Sequence, residues 1–158
     1  MKLNLKRNLL WLNLSWLVLI LMLPLSLAAA QGARAPDVTL TVDNRGASAF
    51  YLSAATSPGI AELGADNVAW TLRVGQRYRV INEGGAAYHP FELRAGDEAL
   101  LSQLETTVGR LEVYADIAFQ SDEAGITFTL TPALAEVLTS YNCAYHAAMT
   151  GLISSAQP

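Results

Sequence analysis

The chain has 158 residues, is 52% hydrophobic and 15% charged, and carries a formal charge of −4. That is enough for one domain, too apolar for a disordered polymer and too acidic for a nucleic-acid binder. One cysteine excludes an internal disulfide, and two histidines exclude any centre that needs many imidazoles.

Residues 1–30 read as a secretory signal peptide. Lys2, Lys6 and Arg7 form a basic start. An apolar run over 9–23 follows, interrupted by Asn13 and Ser15, and Pro24 breaks it before Ala28-Ala29-Ala30. The alternative is an uncleaved membrane anchor, but a spanning helix needs roughly 20 apolar residues. The protein is therefore expected to be exported, to a periplasm or outside the cell, with no membrane span once the signal is cut. Cleavage removes three of the ten basic residues and none of the 14 acidic ones. The remainder holds seven arginines, no lysine and a formal charge of −7. Such a surface suits solubility, or encounter with a basic partner.

Residues 31–37 read as a flexible leader and 38–155 as a single domain. Val38, Leu40 and Val42 alternate as on a strand over 38–43, and Asn44-Arg45-Gly46 is a turn. A second strand is expected over 49–54. Residues 56–67 are rich in Pro, Gly and small residues and read as a loop. Two further strands are expected over 68–74 and 77–82, joined at Gly75-Gln76 in what looks like an antiparallel corner. Pro90 suits the start of a strand over 90–94. Residues 95–122 read as a long excursion, with a possible strand over 111–119. Ile126, Phe128 and Leu130 alternate with threonines and read as a strand. Thr131-Pro132 fits an N-cap followed by proline in the first helical turn, which opens a short helix over 133–138. A last strand is expected over 151–154. Many short strands with turns between them predict an all-β, antiparallel Greek-key sandwich with one short helix.

The lone cysteine of an exported chain needs a reason. Cys143 could be an inert buried thiol, an intermolecular disulfide partner or a metal ligand. Its neighbours favour the last. Cys143, His146 and Met149 recur at every third position and offer thiolate, imidazole and thioether within seven residues. The only other histidine, His89, lies at a loop-to-strand junction. One end of a sandwich can bring such a loop to the Cys143 loop. The candidate metal set is His89, Cys143, His146 and Met149. Two His, one Cys and a weak Met ligand are the donors of a blue-copper electron-transfer site. Zinc favours Cys, His and carboxylate in closed tetrahedra and has little use for a thioether.

At these residues the chain resembles the cupredoxins, the blue type 1 copper proteins. Cys143-x-x-His146-x-x-Met149 is similar to the short ligand loop of amicyanin- and plastocyanin-like proteins. Tyr88-His89-Pro90-Phe91 is similar to secreted cupredoxin-like domains with a His-Pro-Phe motif. The resemblance covers most of 38–154 and is weak over 95–122. It implies one type 1 copper per chain, with His89, Cys143 and His146 equatorial and Met149 axial. It also implies that His146 faces solvent and is the electron exit. One departure matters. The family often uses the amide after the first histidine to donate to the cysteine sulfur, and Pro90 has no N–H. Tyr145 would be left as one donor, and fewer donors leave more charge on the sulfur, which favours the oxidised metal and a low potential.

The function so expected is one-electron transfer by a monomer to a redox partner with a basic docking face. Copper storage, delivery or sensing is the alternative. An enzyme is not expected, because no histidine remains for a catalytic copper or a Ser-His-Asp set.

Overall fold

A computed structural model of the protein describes residues 34–158. The expected signal peptide and the first residues of the leader lie outside the described residues. No helix among the described residues is long and apolar enough to cross a membrane.

The expected alternating runs become strands close to where the sequence puts them, and three strands that it did not announce, Glu98–Ser102, Gln120–Asp122 and Ser140–Cys143, join them. They are β1 (Val38–Asn44), β2 (Phe50–Ala55), β3 (Trp70–Arg73), β4 (Arg77–Asn82), β5 (Phe91–Ala95), β6 (Glu98–Ser102), β7 (Gln120–Asp122), β8 (Gly125–Thr129), β9 (Ser140–Cys143) and β10 (Thr150–Ala156). They form two five-stranded sheets, ordered β2-β1-β4-β8-β7 and β3-β10-β9-β5-β6. One core lies between them. Leu40, Val80 and Phe128 come from the first sheet, and Trp70, Leu93 and Tyr141 from the second, each at most 1% exposed. The all-β sandwich is thus present.

The sheets are mixed rather than purely antiparallel. β1 runs parallel to β4 and β3 parallel to β10. The expected corner at Gly75-Gln76 is not a hairpin, because β3 and β4 belong to different sheets. Gly75, at φ 86°, lets the chain cross between the layers. The crossing is held by the Gly75 amide on the Leu130 carbonyl (2.8 Å) and the Leu130 amide on the Gln76 carbonyl (2.9 Å). Parallel pairing follows from such crossovers, since adjacent hairpins cannot produce it.

Residues 111–119 are turns, not a strand. Successive amides reach back three residues, as Tyr114 to Leu111 (3.2 Å) and Ile117 to Tyr114 (3.2 Å). Leu111 and Ile117 anchor this stretch in the core, while Val113 and Tyr114 stay exposed.

The helix α1 (Pro132–Val137) begins as expected. Thr131 is its N-cap, and its Oγ1 accepts from the Leu134 amide at 3.1 Å. Thr131 is 6% exposed, so water cannot readily replace that acceptor. The Thr131→Ala protein should lose about 1–2 kcal/mol of stability. Equilibrium urea unfolding reads this directly, and an unchanged midpoint would refute the cap's contribution.

Candidate metal centre

The site grows out of the pairing of β5 with β9. These strands are antiparallel, with Phe91 opposite Cys143 and Glu92 opposite Asn142. The pairing runs one step past Cys143, where the Ala144 amide donates to the Pro90 carbonyl at 2.9 Å. His89, just ahead of β5, is thereby carried alongside the loop that follows β9. A sequence separation of 54 residues collapses to a contact, with His89 Nδ1 at 3.9 Å from Cys143 Sγ.

The loop between β9 and β10 is held by its own backbone. The His146 amide donates to the Cys143 carbonyl (3.3 Å), the Met149 amide to the His146 carbonyl (3.0 Å) and the Cys143 amide to the Met149 carbonyl (3.1 Å). Asn67 Nδ2 donates to the Ala148 carbonyl (2.9 Å), and Thr150 Oγ1 to the Ala147 carbonyl (2.8 Å). His146 Nδ1 comes to rest 3.4 Å from Cys143 Sγ, and the two imidazole centroids are 4.9 Å apart. One donor atom from each of His89, Cys143 and His146 lies within 4.8 Å of the others, so the three could hold a metal ion together. Cys143 is buried and both histidines are half-buried. Met149 is fully buried in the core at the far end of the loop.

His89 is positioned from behind. Its amide donates to the Gly85 carbonyl (2.9 Å). Its carbonyl accepts from Asn82 Nδ2 (2.7 Å), which also reaches Gln103 Oε1 (2.8 Å). Gln103 Oε1 in turn accepts the Phe91 amide (3.1 Å). Asn82 and Gln103 are each 3% exposed. The ring of Phe50 meets His89 edge-on, with centroids 6.5 Å apart. Sequence reasoning did not single out Asn82 or Gln103. The available signal was a glutamine inside the apolar run Leu100-Leu101-Ser102-Gln103-Leu104.

Burial pushes the Cys143 thiol pKa up, while hydrogen bonds from the backbone amides of Tyr145 and His146 pull it down. Burial, and then the neighbouring His146, lower the His89 pKa. A metal needs neutral imidazole and thiolate, so binding releases the thiol proton and weakens in acid.

Beside the centre lies a cleft of about 500 Å³, lined by Ala86, Ala87, Glu105, Val108, Glu123 and Tyr145 among others. No family model matches the chain, and no curated protein and no solved structure gave a significant match. The reading of this centre therefore rests on its own chemistry.

Proposed function

We propose that the protein is an exported, monomeric, mononuclear copper protein of the cupredoxin type, with Greek-key topology, that carries one electron at a time. The observation that carries this reading is the convergence of His89, Cys143 and His146 donor atoms within 4.8 Å. The donor set also fits copper. A thiolate and two imidazoles, with the Met149 thioether in the same loop, are softer than the sets zinc favours. In this reading His89, Cys143, His146 and Met149 would hold the ion. A copper ion held there supplies a one-electron couple.

The residues around the donors suit that task. Cys143 and Met149 are packed in the core, and the backbone bonds of the loop limit how far the ligands can move. Rigid ligands reduce the rearrangement that accompanies electron gain or loss. His146 is half-buried, and Ala147 and Ala148 beside it are exposed. Tyr88 and Tyr145, each next to a histidine of the centre, are 74% and 54% exposed. In this reading they would supply a small apolar docking patch beside His146, the electron exit. The exposed carboxylates Glu105 and Glu123 stand in the adjoining cleft. A partner with basic residues around an apolar centre complements that arrangement. With both histidines committed to one ion, none remains for a catalytic copper, so the proposed role is not enzymatic.

The purified protein should take up one equivalent of Cu(II) per chain and develop an intense visible absorption with narrow copper hyperfine splitting in its EPR spectrum. A colourless adduct, or stronger retention of Zn(II) than of copper, would sink the proposal. Electron self-exchange then separates carrier from store. Fast self-exchange with slow copper loss is expected of a carrier, and the reverse would favour storage or delivery.

A further inference from the structure

Asn67, in the loop between β2 and β3, has φ at 49°, a left-handed conformation that few residues other than glycine adopt. Asparagine tolerates it, and glycine enters it without steric cost. A glycine would therefore serve if the turn were all that mattered. Asn67 does more. Its own amide donates to the Phe50 carbonyl (2.7 Å), and its Oδ1 accepts the Phe50 amide (3.1 Å). Its Nδ2 donates to the Ser48 carbonyl (3.3 Å) and, across 81 residues of sequence, to the Ala148 carbonyl (2.9 Å). One end of the carboxamide is fixed on the first residue of β2, and the other reaches the stretch between His146 and Met149. Strained backbone persists only where its surroundings hold it in place.

The position of Ala148 gives that contact its weight. The other hydrogen bonds of residues 146–149 are made within residues 142–150, from the Cys143 amide, the Asn142 side chain and Thr150 Oγ1 among others. Such bonds shape the loop but do not fix it to the rest of the molecule. Asn67, among the described residues, is the hydrogen-bond donor that ties this stretch to a distant part of the chain. The part it ties to is rigid. Phe50 is fully buried and packs on Phe91 (5.6 Å between centroids) and Tyr141 (6.5 Å). The same Phe50 ring meets His89 edge-on. The loop of one histidine and the ring of the other thus share a single support.

We infer that Asn67 is a positioning residue of the metal centre: by anchoring Ala148 to Phe50 it keeps His146 and Met149 in register with His89 before an ion binds, and slows the release of an ion once bound. The inference rests on the copper reading above. Outer contacts of this kind are typically worth 10- to 100-fold in metal affinity.

Two variants of the full chain test it. Asn67→Asp keeps the tolerance of positive φ and the acceptor for the Phe50 amide, but has no donor for Ala148. Asn67→Gly keeps the turn and removes the whole side chain. In the metal-free protein, the Cys143 and Met149 amides, which close the loop, should exchange with solvent about tenfold faster in both variants. Loaded with Cu(II), both should lose the ion to excess EDTA about tenfold faster than the wild type, with the visible band retained because Cys143 is untouched. Thr131→Ala, weakened at its helix cap, should release copper at the wild-type rate. Equal acceleration in Thr131→Ala would trace the effect to general stability and overturn the inference. Unchanged exchange of the Met149 amide in Asn67→Asp would overturn it too, because the loop would then not depend on the bond. Should one variant fail to fold, the other decides alone. A wild-type protein that shows no copper–thiolate band removes the copper reading and this inference with it. A wild-type protein with that band, and variants that exchange amides and release copper as it does, removes the inference alone.

Discussion

Cys143→Ser, loaded with Cu(II), should lose the intense visible band entirely and bind the ion at least about a hundredfold more weakly. The loss exceeds the 10- to 100-fold typical of an outer contact, because the softest donor itself is removed. The structure makes this substitution unusually clean. Cys143 is 1% exposed, and serine changes one atom without opening a large void. The serine hydroxyl would lie near the Nδ1 atoms of His146 and His89, now 3.4 and 3.9 Å from the sulfur. It therefore has partners, and the metal-free variant should unfold within about 1 kcal/mol of the wild type. Copper should raise the thermal midpoint of the wild type and barely move that of the variant, since only a ligand bound to the folded state stabilises it. Titration calorimetry and an absorption spectrum decide the matter. A variant that kept the band would show that the sulfur is not a ligand, and the copper centre proposed for this chain would have to be abandoned.

The candidate donors were legible in the sequence for a reason separate from the fold. Cys, His and Met at every third position are rare enough to be noticed without any geometry, and only one other histidine was left to join them. The joining itself is a matter of strand order. β5 and β9 are neighbours although β6, β7, β8 and α1 lie between them in the chain. The strands that escaped notice are those whose burial defies alternation. β9 reads Ser-Tyr-Asn-Cys, yet all four residues are buried; β5 and β10 flank it on both edges, and the Asn142 side-chain amide donates to the Met149 carbonyl and to Thr150 Oγ1. β6 carries Leu100 and Leu101 side by side, both at 0% exposure, so it shows no period of two. The stretch 111–119 misled in the opposite sense. Its apolar letters suggested a strand, but only Leu111 and Ile117 of them are buried, and the segment closes on itself in turns. Glu92 belongs with these cases. A period of two assigns it to solvent, whereas Ser102 and Arg94 close over it.

Gly151→Ala should be among the most damaging single changes outside the centre, although it adds one methyl group. Gly151 is directly opposite Tyr141 in the β9–β10 pair. A Cβ at Gly151 would fall on the Tyr141 ring and its hydroxyl. The ring lies across the glycine because no side chain stands there, and it has no freedom to leave. It stacks on Trp70 with centroids 4.3 Å apart and on Phe91 at 5.9 Å, and its hydroxyl donates to the Val68 carbonyl at 2.8 Å. Each such aromatic pair contributes about 0.5–1.5 kcal/mol beyond its buried area. Shifting the ring disturbs both stacks and leaves a buried hydroxyl in search of an acceptor. The expected cost is about 3 kcal/mol, at the upper end for overpacking of a filled core. It should appear as a lower denaturation midpoint with an unchanged slope. Because β9 and β10 bracket the ligand loop, metal affinity should fall as well. The cause can be isolated with Tyr141→Leu. That change alone also destabilises, but it gives the added methyl room, so the double variant should be more stable than the two separate losses imply. Strict additivity, or a Gly151→Ala protein within about 0.5 kcal/mol of the wild type, would mean that the tyrosine ring does not need the space the glycine leaves.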